Sequence, residues 1–156
     1  MAQTDNHLVI MAGGVGGRFW PMSTADCPKQ FIDVLGVGRT LIQLTYDRFS
    51  GVVSADNVWV VTNQKYVSLV HEQLPEIPLN HILSEPCRRN TAPCIAYVSW
   101  RIKKENPKAN IVVSPSDHIV TNENEFKRVV SNCLKFTAET DAVVTLGMKP
   151  TRPETG

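Results

Sequence analysis

No charge of either sign dominates this chain: its 156 residues carry 16 lysines and arginines against 15 aspartates and glutamates, a formal net charge of +1. Without a basic stripe it lacks the electrostatic footprint that binds phosphate backbones or anionic lipid surfaces, so neither nucleic acid nor membrane is an expected partner. Long hydrophobic runs are missing as well. The longest apolar stretch near the start, Leu8 to Ala12, is too short for a membrane span or the core of a secretory signal, and the cytoplasm is the expected location. The four cysteines, Cys27, Cys87, Cys94 and Cys133, match neither a Cys-x-x-Cys knuckle nor a dense disulfide framework and are expected to be reduced. His7, His71, His81 and His118 include no helical pair with an intervening glutamate, which excludes a zinc helix of that kind. No low-complexity linker or internal repeat divides the chain, and a composition of 42% hydrophobic and 20% charged residues suits one globular core.

What is present is a regular alternation. Five short runs, nearly continuous in valine, isoleucine and leucine, read as strands buried on both faces: His7–Met11, Asn57–Thr62, His81–Ser84, Ala109–Ser114 and Asp141–Leu146. Between them lie helix patterns near Thr40–Phe49, Lys65–Leu74, Thr91–Lys104 and Glu123–Thr137. Asn122 followed by Glu125 has the form of a capping box at the start of the last. Asn90 or Thr91 is placed to cap the third, with Pro93 in its first turn. Such alternation, with short right-handed connections, predicts an α/β fold: a three-layer α/β/α, Rossmann-like sheet that is mostly parallel.

The unusual residues fall where that plan puts its ligands. Ala12–Arg18, Glu85–Asn90, Pro115–His118 and Gly147–Gly156 each follow a predicted strand, so a parallel sheet gathers them at one edge, the edge at which open α/β folds bind ligands. The first loop, Ala12-Gly13-Gly14-Val15-Gly16-Gly17-Arg18, holds four glycines in five positions. Bare amides that turn sharply suit phosphate oxygens, though such a loop by itself is equally a tight turn. It is neither a P-loop, since no Gly-Lys-Ser/Thr follows, nor a good dinucleotide fingerprint, since Phe19 stands at the last glycine position. Arg18 and Lys29 follow, and a guanidinium with an ammonium suits the charge that builds on a departing pyrophosphate. Asp117, after the run Ile111–Ser114, is placed either as a magnesium ligand or as a turn residue. Glu85 and Asn90 read equally as a helix cap with its ion-pair cluster.

Together these segments carry a resemblance. Gly13-Gly14-Val15-Gly16-Gly17-Arg18-Phe19-Trp20-Pro21-Met22-Ser23 and Pro28-Lys29-Gln30-Phe31 look like the pyrophosphorylase signature of sugar nucleotidyltransferases. Glu85-Pro86-Cys87-Arg88-Arg89-Asn90-Thr91-Ala92-Pro93, Pro115-Ser116-Asp117-His118 and Thr151-Arg152-Pro153-Glu154-Thr155-Gly156 are similar to elements of the mannose-1-phosphate guanylyltransferase branch, in the same order. The resemblance implies a glycosyltransferase-A-like sheet with Mg2+ as cofactor and GTP and mannose-1-phosphate as substrates. It implies that Ala12, Gly13, Gly14, Gly16, Arg18, Lys29, Glu85, Asn90, Thr91 and Ser116 bind the nucleotide. Arg18, Lys29 and Asp117 would be catalytic and Asp117 would hold the metal. A carboxylate at Glu85 accepts from both the N1 and N2 donors of guanine, which favours GTP over UTP.

The implied reaction is in-line attack of a sugar-phosphate oxygen on the α-phosphorus of GTP. It needs no covalent intermediate and no general base, and His118 is expected to orient Asp117 or pack its loop. Because relatives of that branch continue past the Pro-Glu-Thr-Gly element, residues 1–156 are expected to be the nucleotide-binding portion of a longer domain, unable to turn over alone. Its uncovered sheet edge would be relieved by pairing, a homo-oligomer among the options. Two alternatives stay open: a UTP- or dTTP-dependent sugar-1-phosphate nucleotidyltransferase, and a non-catalytic nucleotide-binding module.

Overall fold

The structure, a computed structural model, describes residues 5–14, 19–85 and 90–147. Four strands, β1 (Asn6–Ala12), β2 (Val58–Asn63), β3 (Ile82–Glu85) and β4 (Asn110–Pro115), form one sheet in the order β3-β2-β1-β4, every neighbouring pair parallel. Helices α1 (Leu41–Arg48), α2 (Val67–Gln73), α3 (Thr91–Glu105) and α4 (Glu123–Glu139) make the connections and the outer layers.

Side chains of a strand alternate between faces, and here both faces are covered. Leu8, Ile10, Ala12, Val58 and Val60 point into a core closed by Ile42 of α1, Val70 of α2, and Val130 and Leu134 of α4. Val9, Trp59 and Val61 point the other way, onto Cys94, Val98 and Ile102 of α3. A strand with a core on each side cannot alternate apolar with polar, which is why these strands read as unbroken apolar runs. The expected α/β/α layering and parallel sheet are therefore observed.

The helix starts follow their sequence signals in part. The Thr40 N–H donates to Gln43 Oε1 at 3.0 Å at the head of α1. Asn122 Oδ1 accepts from the Glu125 N–H at 3.1 Å, but the Glu125 carboxylate, expected to return a bond to the cap, is taken by Arg128 at 2.6 and 2.8 Å. Asn90 occupies the N-cap position of α3 without a side-chain capping bond.

One strand was expected and does not form. Asp141–Leu146 follows α4 as irregular chain, with Val143 95% exposed. Its β-branched residues express a preference for a pleated, half-covered surface, and that preference yields a strand only where a partner supplies the ladder. Among the described residues nothing pairs with the outer edge of β4. Smaller differences lie at element ends: Asn57 and His81 sit in 3-10 turns ahead of β2 and β3, and Lys65 in a 3-10 turn ahead of α2. No helix among the described residues is long and apolar enough to cross a membrane.

Candidate functional site

Topology singles out one place on this sheet. From β1 the chain moves outward to β2 and β3, then crosses back over the opposite face through α3 to lay β4 on the other side of β1. The loops leaving β1 and β4 therefore diverge, and the gap outside their C-terminal ends is the switch point at which ligands of open α/β sheets bind. Gly13 and Gly14 leave β1 there, and Ser116 and Asp117 leave β4 beside them. The Ser116 N–H donates to the Met11 carbonyl at 3.2 Å, tying the second loop to the end of β1.

The start of the glycine loop is held by a side chain. Gln30, 2% exposed, donates through Nε2 to the Ala12 carbonyl at 3.0 Å and to the Gly14 carbonyl at 2.8 Å. The Thr62 hydroxyl of β2 donates to the Ala12 carbonyl as well, at 2.9 Å. The buried Ala12 carbonyl is costly to leave unpaired, so the bonds to it help to fix where the chain departs from the sheet. Among the described residues the clamp acts on the two carbonyls of Ala12 and Gly14.

Lys29 precedes Gln30 in the same 3-10 turn, Lys29–Phe31, and its ammonium pairs with Asp117 Oδ2 at 2.5 Å. Two adjacent residues of one turn therefore touch both loops of the switch point. The Lys29 ammonium also lies 5.5 Å from the centre of the Phe19 ring. The loop bearing Asp117 is anchored from beneath by Arg48, 3% exposed, whose Nη2 donates to the His118 carbonyl at 2.7 Å. His118 thus secures the loop through its main chain, while its side chain is exposed. Burial lowers the Arg48 pKa from its ordinary value, with Glu123 offsetting part of the shift, and guanidinium remains charged all the same.

Glu85 ends β3 with its carboxylate against the loop: a Cβ placed on Gly13 would come within 3.3 Å of Glu85 Oε2. A larger residue there would have to displace the Glu85 carboxylate by a few tenths of an ångström. Cys94, in the first turns of α3, lies next to the same carboxylate; burial pushes its thiol up to about 11, and the charge and hydrogen bonding of Glu85 add to the shift. Asn90 and Thr91 stand exposed at the head of α3. Asn90 has φ 68° and ψ −170°, a region that side chains other than glycine rarely occupy. Gly16 and Arg18 of the first loop, Pro86–Arg89 of the second and residues 148–156 lie outside the described residues. Ala12, Gly13, Gly14, Lys29, Glu85, Ser116 and Asp117 are brought to one rim.

The family model for nucleotidyl transferases matches residues 7–156. This chain belongs to the nucleotidyl transferase family. It is 38% identical over 160 residues to a mannose-1-phosphate guanylyltransferase of Escherichia coli (strain K12), covering 100% of this chain and 33% of that protein. It is 41% identical to mannose-1-phosphate guanylyltransferase 2 of Escherichia coli O157:H7, over the same shares. A solved structure from Thermus thermophilus, described as a mannose-1-phosphate geranyltransferase, superposes with a TM-score of 0.86 at 31% identity, covering 97% of this chain and 44% of that one. The chain thus spans about a third of the length of the curated relatives it matches. The resemblance carried by the glycine loop and the Pro-Lys-Gln-Phe segment is borne out by these relatives.

Within this nucleotidyl transferase chain, Asp117 and Glu85 are carboxylates at the rim that could hold a metal ion. Among the described residues no cluster of three or more histidine, cysteine, aspartate or glutamate side chains could hold a metal. An ion on Asp117 would need ligands beyond the described side chains. Gln30, although part of the Pro-Lys-Gln-Phe segment, and Thr62, Arg48 and Cys94 were given no role at the site from the sequence. A glutamine between lysine and phenylalanine, or an arginine next to Phe49 at a helix end, carries no local sign of burial; their roles arise from carbonyls far away in the chain. A cavity of about 290 Å³ at the opposite end of the sheet, lined by His7, Trp59, His81 and the carboxylates of Asp5, Asp56 and Glu105, lies far from this rim in the fold. There the Trp59 indole N–H donates to His7 Nδ1 at 3.3 Å, a bond that serves the core.

Proposed function

We propose that this chain supplies the nucleotide-binding part of a mannose-1-phosphate guanylyltransferase, which transfers a guanylyl group from GTP to mannose-1-phosphate and releases pyrophosphate. The observation that carries this reading is the pair of neighbours Lys29 and Gln30, which hold Asp117 and Gly14 at the same switch point. The glycine-loop amides would receive phosphate oxygens, with Lys29 and Arg18 opposing the charge on the departing pyrophosphate. Glu85, at the end of β3 against Gly13 and beside Cys94 of α3, would accept from N1 and N2 of guanine. Asp117 would hold Mg2+, which when bound spreads positive charge over the phosphates. A phosphate oxygen of the sugar phosphate attacks the α-phosphorus, the bond from that phosphorus to the bridging oxygen of the β-phosphate breaks, and pyrophosphate leaves. The attacking oxygen is already anionic at neutral pH, so the residues need only position and neutralise. The cytoplasm, where nucleoside triphosphates are made and used, fits this reading.

Calorimetric titration with GTP and with UTP, each with Mg2+, tests it. GTP should bind more tightly than UTP, Lys29→Ala should weaken GTP, and Glu85→Gln should narrow the gap between the two nucleotides. Equal binding of UTP would move the reading to a uridylyl-type enzyme, and no binding of any nucleotide at millimolar concentration would remove it.

A further inference from the structure

Lys29 and Asp117 have opposite tasks in the proposed reaction, one facing phosphate and the other a metal ion, yet here they face each other at 2.5 Å. Their side chains are 27% and 29% exposed, so the pair is partly withdrawn from water and screened less than a surface pair. The carboxylate cannot bind an ammonium and a hard divalent cation at once without holding two cations side by side.

The two partners are not equally fixed. Asp117 sits on a loop secured on both sides, by Ser116 to the Met11 carbonyl and by Arg48 to the His118 carbonyl. Lys29 is fixed at its backbone, beside buried Gln30 and Phe31, and its four-carbon stem can swing. Phe19 offers the ammonium an aromatic face off the carboxylate. Lysine is the moving part.

Building on the nucleotide reading above, we propose that the Lys29–Asp117 ion pair couples metal entry to nucleotide binding. In the free protein Lys29 occupies the carboxylate that the metal ion needs, and a triphosphate frees that carboxylate by drawing the ammonium away. Metal and nucleotide then help each other to bind by the same factor, as linkage requires.

The test counts bound Mn2+ by electron paramagnetic resonance, first with the protein alone and then with GTP present. Lys29→Gln, with Lys29→Met as a second variant, should bind Mn2+ alone about twofold to fivefold more tightly than the unaltered protein, the upper part of the range expected of a partly exposed pair. Lys29→Arg keeps a cation able to pair and should stay as weak as the unaltered protein. Removing a cation elsewhere, Lys65→Gln, should change nothing, and adding Asp117→Asn to Lys29→Gln should erase the gain. The help that GTP gives to Mn2+ should shrink in Lys29→Gln by the factor gained without it. If Mn2+ alone binds the unaltered protein and Lys29→Gln equally while GTP with Mn2+ still binds, the coupling is wrong and the nucleotide site stands. If GTP does not bind at all, both fall.

Discussion

Replacing Gln30 with leucine removes the clamp on the glycine loop while keeping a buried side chain of similar size. Among the described residues two bonds are lost, to the Ala12 carbonyl at 3.0 Å and to the Gly14 carbonyl at 2.8 Å. Neither acceptor is stranded completely, since Ala12 keeps the Thr62 hydroxyl and Gly14 is exposed to water. The loss therefore sits near the net value of two ordinary hydrogen bonds, about 1–2 kcal/mol, and not near the full desolvation cost of two buried carbonyls. In a domain of this size that is a fall in Tm of about 2–8 °C. Glutamate at the same position sets a buried carboxylate against two carbonyl oxygens and should cost more, about 3 kcal/mol or above. Urea unfolding followed by circular dichroism gives the stabilities, and GTP titration on the folded variants gives the affinities. If the clamp sets the loop's place, leucine should also weaken GTP by about tenfold, which corresponds to about 1.4 kcal/mol. Leucine within about 0.3 kcal/mol of the unaltered protein, with GTP affinity unchanged, would refute the clamp, because changes that small are typical of surface substitutions.

Arg48→Met should cost about 1–3 kcal/mol by urea unfolding, since the His118 carbonyl loses its donor and the Asp117 loop its anchor; a neutral result would mean that the loop is held by other contacts. His7 has its pKa lowered, first by burial and then by His81, with Asp5 and Glu105 partly offsetting. Above its ordinary value, about 6.5, both folded and unfolded chains keep it neutral. Below that value the unfolded chain takes a proton that the fold resists, so stability should fall as pH drops from about 6.5 to 5, with a shallower slope in His7→Asn. Identical slopes in the two proteins would rule this out. Cys94, its thiol pushed up to about 11 by burial and Glu85, should escape alkylation at pH 8 while exposed Cys27 is labelled. Peptide mass mapping before and after denaturation checks this, and native labelling of Cys94 would contradict it.

The unbroken apolar runs at β1 and β2 already required a sheet covered on both sides, because a strand with one wet face would alternate. The runs at β1, β3 and β4 also placed Gly13, Glu85 and Asp117 at or just past strand ends, and hence on one rim of a parallel sheet. The capping residues marked the head of α4 for a local reason: Asn122 and the amide it serves are close neighbours in the chain. Asp141–Leu146 shows the limit of such reasoning. Its residues suit a strand, but pairing is a property of two segments, and the described chain offers it no neighbour.

Sequence alone determined the period of burial, the cap at the head of α4 and the kinds of charged groups at the strand ends, since each depends on residues within a few positions of one another. Only the folded chain decided that Gln30 grips Gly14 from 16 positions away, that Arg48 anchors His118 from 70 positions away, and that Lys29 meets Asp117. Those contacts join segments remote in the chain, and they exist because the β3-β2-β1-β4 order brings the ends of β1 and β4 together.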